Sequence, residues 1–317
     1  MTVAARWLLS VAMLCYADAV SLETAGMSDG DRLLSWQVGR VKITRIAELE
    51  IPIAYDAAAP FMRDAEPEAL RTMPWLYPHF VTADGALKLS VHALLVDAPG
   101  LRLVVDTCIG NDRPREITGG VALQTPFLQR LADAGWSPEG VDAVVCTHLH
   151  VDHVGWNTML KDGRWVPTFP KARYLIGRTE LAHWRAEGDA AQQVILGDSV
   201  QPIFDAGLAL LVEADHRLSP EVWLEPTPGH TPGHVSVMIE SEGARAVISG
   251  DYLHHPCQIT HPEWPSGSDI DPDLAVTTRR AALDRAADQP ILFIGTHFAT
   301  PTAGYIRRRD GALRLEV

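Results

Sequence analysis

Thr147-His148-Leu149-His150-Val151-Asp152-His153 is the stretch on which the reading of this chain turns. It packs three imidazoles and a carboxylate into six consecutive positions. Nitrogen and oxygen donors of this kind suit a borderline divalent ion such as zinc, and i, i+2 spacing lets two side chains converge from one extended turn. The residues just before it, Val141 to Thr147 (VDAVVCT), form a short apolar run rich in β-branched side chains, as expected of a strand buried on both faces. The heptapeptide is therefore expected to be a loop leaving a buried strand, one that could supply parts of two metal sites.

Further donors recur downstream at strand ends. Thr227-Pro228-Gly229-His230-Thr231-Pro232-Gly233-His234, Ser249-Gly250-Asp251 and Gly295-Thr296-His297 follow in order, and Val105-Asp106-Thr107 precedes the heptapeptide. The set resembles the metallo-β-lactamase superfamily: His148, His150, Asp152 and His153 reproduce its H-x-H-x-D-H signature, and the other segments resemble its G-H-T segment, its strand-end aspartate, its last histidine and its earlier aspartate motif.

The resemblance implies an α/β fold, the four-layer αββα metallo-β-lactamase sandwich. It implies two divalent metal ions, with zinc the leading candidate: His148, His150 and His230 on one, Asp152, His153 and His297 on the other, and Asp251 between them. Three protein ligands per ion plus a bridge leave room for a shared hydroxide, the nucleophile expected of such a pair. Asp152 is expected to relay a proton to the leaving group. Asp106 is expected to pin the ligand loop by hydrogen bonding. Tyr252 is expected either to donate to a developing oxyanion or to sit as a buried aromatic. His234 is expected to be structural or to support a ligand, and His254 and His255 to be packing or solvated loop residues.

An aspartate at position 251 resembles lactonases, hydroxyacylglutathione hydrolases and phosphotriesterases more than true β-lactamases. The combination is most similar to N-acyl homoserine lactonases and the methyl parathion hydrolase type. The expected function is hydrolysis of a small-molecule lactone or other carboxylic ester, a reading that implies quorum quenching. Phosphotriester or thioester cleavage and an iron-dependent oxidoreductase are the alternatives. No G-x-S-x-G elbow, Walker loop or G-x-G-x-x-G turn competes with the metal site.

The surrounding pattern fits a layered fold. Trp36 to Glu50 is strand-like, and Ser90–Asp97 with Leu101–Asp106 forms a hairpin turning at Ala98-Pro99-Gly100. A helix is expected over Thr125 to Ala134, capped by Thr125 and stopped by Gly135. Strands are expected at 172–176, 235–239, 246–249 and 291–294, and helices at 179–186 and 274–287. Ile51 to Asp84 is a long loop with helical fragments, and its apolar part from Pro60 to Phe80 is expected to cover an acyl chain. Trp165, Phe169, Trp184 and Leu196 are expected to line either the pocket or a homodimer interface.

The 317 residues carry 40 acidic and 27 basic side chains, a net charge of -13 that repels phosphate backbones and anionic surfaces. No nucleic-acid or membrane partner is expected, and Arg307 to Arg309 is too short a basic cluster to change this. Four cysteines without a C-x-x-C pair point to buried apolar side chains at Cys108 and Cys146 rather than a disulfide framework. Residues 27–317 are expected to form one domain. Residues 1–26 read either as a secretory signal (Arg6, the apolar run Trp7 to Tyr16, then Ala17-Asp18-Ala19) or as an extension ahead of a start at Met27. The first reading places the protein in the periplasm or outside the cell, the second in the cytoplasm.

Overall fold

The computed structural model describes residues 33–317, so Cys15 and the two readings of residues 1–26 lie outside the described residues. A seven-stranded sheet has the order β1-β2-β3-β4-β5-β8-β9 and a six-stranded sheet the order β10-β11-β12-β13-β14-β15. In the first, β1 is Ser35–Val38, β2 Val41–Ile53, β3 Leu87–Ala98, β4 Leu101–Val105, β5 Ala143–Val145, β8 Arg173–Gly177 and β9 Ala209–Val212. In the second, β10 is Val222–Pro226, β11 Val235–Ser241, β12 Ala244–Ile248, β13 Ile291–Ile294, β14 Ala303–Arg309 and β15 Ala312–Glu316. Thr158–Lys161 (β6) and Arg164–Pro167 (β7) make a separate hairpin.

Period-two alternation sorts the side chains into layers. Leu94, Val96, Leu103, Val105, Ala143 and Val145 of the first sheet share one buried cluster with Val235, Val237, Ala246, Ile248 and Ile294 of the second. This is the core between the sheets. The intervening residues face outward. Ala93, Leu95, Val104 and Val144 pack against Phe127 and Leu131 of the helix Phe127–Asp133 and against Leu181 and Trp184 of the helix Arg178–Glu187. On the other side, Val247 and Phe293 pack against Ala282, Leu283 and Ala286 of the helix Pro272–Ala286. The result is the α/β/β/α layering that the motifs imply.

The hairpin, the long loop and the strand Ile291–Ile294 lie where the sequence puts them. The helix start is a correction: Phe127–Asp133 has Pro126 at its N-cap and no side-chain cap. The Thr125 hydroxyl instead bonds to Glu48 (3.1 Å), a buried carboxylate that draws the strand-end loop inward and outcompetes the local cap. β4 and β5 are parallel, as are β12 and β13, so their C-terminal ends open on the same edge of the sandwich. The two sheets are tied at that edge by Val235 N donating to Thr147 O (3.0 Å) and Ser90 N donating to His297 O (3.0 Å). Among the described residues no helix is long and apolar enough to cross a membrane.

Candidate metal centre

Each donor leaves a strand at that edge. Asp106 follows β4, His148 to His153 follow β5, His230 lies between β10 and β11, Asp251 follows β12 and His297 follows β13. Rigid strands fix the bases of these loops, while the loops aim the side chains. All seven predicted ligands come together. His148, His150 and His230 converge as one triad and Asp152, His153 and His297 as another. Asp251 Oδ2 sits between them, 3.8 Å from His148 Nε2, 3.7 Å from His230 Nε2, 3.3 Å from His153 Nε2 and 3.0 Å from His297 Nε2.

Hydrogen bonds assign the tautomers. Thr147 Oγ1 donates to Asp106 Oδ2 (2.9 Å) and therefore accepts from His148 Nδ1–H (3.1 Å). His153 Nδ1–H donates to Asp106 Oδ2 (2.9 Å), His230 Nδ1–H to Asp269 Oδ1 (3.0 Å) and His297 Nδ1–H to the carbonyl of Ser90 (2.9 Å). In all four rings the Nε2 lone pair points into the centre. His150 presents Nδ1 instead, 2.9 Å from both His148 Nε2 and His230 Nε2.

With every ring neutral, acceptor faces acceptor across the centre, and His153 Nε2 and Asp251 Oδ1 are buried without a hydrogen-bond partner. Only positive charge resolves such an arrangement. Burial pushes His148, His150 and His230 well below the ordinary histidine pKa, so these rings are neutral and able to offer a lone pair to a metal ion. Burial acts on His153 in the same direction, but the carboxylates of Asp251, Asp106 and Asp152 outweigh it and raise that ring well above its usual value. Borderline nitrogen and oxygen donors in a field that calls for a cation fit a divalent metal.

Residues outside the ligand set hold it in place. Asp106 Oδ1 accepts from Thr147 N (2.7 Å) while its Oδ2 orients His153, the pinning role read from the sequence. His234 is buried and its Nε2 accepts from Asp251 N (2.7 Å), fixing the backbone behind the central carboxylate. Gly250 permits this contact: its φ is +62°, and a Cβ there would meet the His234 ring at 2.5 Å. Asp269, unmarked by any motif, orients His230 and is braced by Ser266 N (2.9 Å) and the buried Arg279 (3.5 Å).

The centre opens into a cavity of about 480 Å³. Of the segment Pro60 to Phe80, only Phe61 and Arg63 reach it; Leu76 and Phe80 are core residues and Trp75 and Tyr77 pack against that core. Further cover comes from Trp184 to Ile195, where the sequence offered Trp184 as a pocket or interface residue, and from Gly267 to Pro272, which it did not mark as a wall. Trp184 lines the cavity, whereas Phe169 and Leu196 are core and Trp165 stacks on the Arg113 guanidinium (3.9 Å). Tyr252 is a correction to the oxyanion expectation. Its ring is buried against Phe293 in the outer core and does not line the cavity, because the turn after Asp251 points it away from the centre.

His254, expected to be a packing or solvated residue, faces the cavity instead. It is 2% exposed, lines the cavity, has no hydrogen-bond partner on either ring nitrogen, and brings Nε2 within 3.4 Å of Asp251 Oδ2. Its neighbour His255 takes the packing role, with Nε2 on the carbonyl of Phe80 (2.7 Å).

Comparison with known proteins places this geometry. Residues 87–297, most of the chain, match the metallo-beta-lactamase superfamily. The chain belongs to that superfamily. An N-acyl homoserine lactonase of Bacillus sp is 29% identical over 168 residues, which are 52% of this chain and 59% of that protein. The N-acyl homoserine lactonase AiiA of Bacillus thuringiensis subsp. kurstaki is 26% identical over 166 residues, again 52% of this chain and 59% of the relative. The match therefore spans just over half the length of these curated relatives. Among solved structures, the hydrolase AbOPH of the beta lactamase superfamily superposes with a TM-score of 0.74 at 25% identity, covering 89% of this chain and 96% of that one. The dizinc quorum-quenching lactonase AidC shares the fold, with a TM-score of 0.71 at 21% identity over 90% of this chain and 96% of its own.

Proposed function

We propose that this metallo-β-lactamase superfamily member is a dinuclear metal-dependent hydrolase of a lactone or other neutral carboxylic ester that carries an apolar chain. The observation that carries the proposal is the pair of ligand triads flanking Asp251 at the floor of the apolar cavity. His148, His150 and His230 would hold one ion and Asp152, His153 and His297 the other, with Asp251 shared. Zinc is the ion best matched to this donor set. Such ions supply Lewis acidity and bring the pKa of water towards neutrality.

The protein's own groups would do the rest. Asp152 is the most exposed carboxylate of the centre, with an oxygen 3.6 Å from His297 Nε2 and the cavity beyond, so it is placed to hold a proton and pass it to the leaving oxygen. His254 offers a ring N–H to the carbonyl oxygen of a substrate in the cavity. Ile51, Ile53, Phe61, Leu89 and Ile195 give the chain an apolar wall.

Charge narrows the substrate. Among the described residues Arg63 is the only Arg or Lys lining the cavity, against Glu187 and Asp189 in addition to the acids of the centre, which favours a neutral ester over an anionic one. The N-acyl homoserine lactonases among the relatives support a lactone in particular. The test is proton release from a panel of acyl homoserine lactones, aryl esters and anionic thioesters by the metal-loaded protein. Turnover confined to the neutral esters is the expected outcome; full metal occupancy without turnover of any lactone or ester overturns the proposal.

A further inference from the structure

Glu180 begins no recognised motif, yet its carboxylate is 1% exposed and accepts four hydrogen bonds. Oε1 takes Leu149 N (3.0 Å) and Trp184 Nε1 (2.6 Å); Oε2 takes the Thr231 hydroxyl (2.7 Å) and Gly233 N (3.0 Å). Leu149 lies between His148 and His150, and Thr231 follows His230. One carboxylate therefore staples the two loops that supply one whole triad. Trp184, its fourth donor, packs its ring on His150 with centroids 5.2 Å apart. The contact is close enough that a Cβ on Gly233 would meet Glu180 N at 2.3 Å. Nothing in this network reaches Asp152, His153 or His297, whose corresponding support is Asp106 for His153 and Ser90 for His297.

We infer that Glu180 is a positioning residue that sets metal affinity at the His148–His150–His230 triad alone, unlike Asp106, which reaches His153 directly and His148 through the Thr147 hydroxyl. This rests on the dinuclear reading above. The energetic reason is that four donors arranged two to each oxygen match an ionised carboxylate and nothing else of that size. An amide must turn its NH₂ towards one donor pair. The Thr231 hydroxyl can reverse and accept, but Gly233 N–H or Leu149 N–H and Trp184 Nε1–H cannot, so one ligand loop loses its anchor. Supporting groups of this kind are worth about 10- to 100-fold in metal affinity.

The experiment is calorimetric titration of the chelator-treated, dialysed full chain with zinc alone. Glu180→Gln and Glu180→Asp are each placed in the wild type, in His230→Ala and in His297→Ala. Glu48→Gln is the matched comparison. Glu48 is equally buried and accepts from Ile109 N, Gly110 N, Trp156 Nε1 and the Thr125 hydroxyl, none of which lies in a ligand-bearing loop segment. We expect wild type to bind two ions, Glu180→Gln to weaken one of them 10- to 100-fold, and the loss to persist in His297→Ala but vanish in His230→Ala. Glu48→Gln lowers the melting temperature and leaves both affinities in place. Equal weakening of both ions, unchanged affinity with either Glu180 variant, or the same effect from Glu48→Gln overturns the inference. A wild type that binds one ion overturns the dinuclear reading itself, which separates the two failures.

Discussion

Asp106→Asn tests the hydrogen-bond polarity that sets the His153 tautomer. The substitution is nearly isosteric, and the backbone accepts it: Asp106 has φ +57°, a left-handed conformation that Asn adopts readily. What changes is the hydrogen-bond polarity. In the native protein Oδ1 accepts from Thr147 N (2.7 Å), and Oδ2 from His153 Nδ1 (2.9 Å) and from the Thr147 hydroxyl (2.9 Å), which can turn where the NH of His153 cannot. If the amide oxygen stays on Thr147 N, the NH₂ faces His153 Nδ1–H, donor against donor. The ring then relieves the conflict by moving its proton to Nε2, the nitrogen that must ligate. Holding the ligating tautomer instead forfeits a charge-assisted hydrogen bond of about 1.5–3 kcal/mol, which is roughly a 10- to 100-fold loss of affinity at the Asp152–His153–His297 position. The opposite amide orientation moves the conflict to Thr147 N–H and strands a buried donor at similar cost. Zinc titration of the apoprotein reads the affinity, and far-ultraviolet dichroism checks that the fold is kept. Wild-type affinity for both ions in Asp106→Asn would refute the reasoning, because it would mean that the His153–Asp106 contact does not set the ligand's protonation.

Other consequences are as direct. Chelation should lower the melting temperature by about 15 °C when two ions had been present at about 1,000 times their dissociation constants, since roughly 4 kcal/mol of linkage is withdrawn per site, about 8 kcal/mol together, and acceptor–acceptor contacts are left behind; differential scanning calorimetry reads it. His254→Phe keeps the ring packing beside Phe61 and His297 but removes the N–H, so it should retain both ions by mass spectrometry while lowering kcat/KM about 100-fold. Ile270→Asp changes a cavity-lining residue that is 42% exposed, so folding is spared; kcat/KM should fall about tenfold for long-chain esters and stay level for short ones in a chain-length series.

How much of this was legible in the sequence depends on range. The ligands were legible because each metal-binding segment is a short local pattern at the end of an apolar strand, and His148 to His153 carry four donors without any help from distant residues. The strands were legible as short apolar runs, as at Leu94 to Val96 or Ile291 to Ile294, but runs apolar on both faces do not say which side chain joins which layer. The supports were not. Glu180 accepts from residues 31 and 53 positions away, and Asp269 meets His230 across 39, so neither acid carries a local signal of its role. His254 and His255 are the same residue side by side, and only the turn after Asp251 decides that one faces the cavity and the other the carbonyl of Phe80. Tyr252 was left between two readings for the same reason: its residue type suits an oxyanion donor as well as a buried aromatic, and only the backbone direction selects the second. The hairpin of β14 and β15 escaped notice because its strand pairs exposed arginines, Arg308 and Arg309, where an apolar alternation would have announced it.

The central claim is two divalent ions serving ester hydrolysis, and metal content with turnover tests it most directly. Protein purified without chelator is analysed by mass spectrometry for metals, and the same preparation is given a long-chain acyl homoserine lactone with proton release followed. About two zinc or related ions per chain with turnover, both lost in Asp251→Ala, is the predicted result. One iron per chain, with oxygen uptake and no proton release, would contradict the account and put an oxidoreductase in its place.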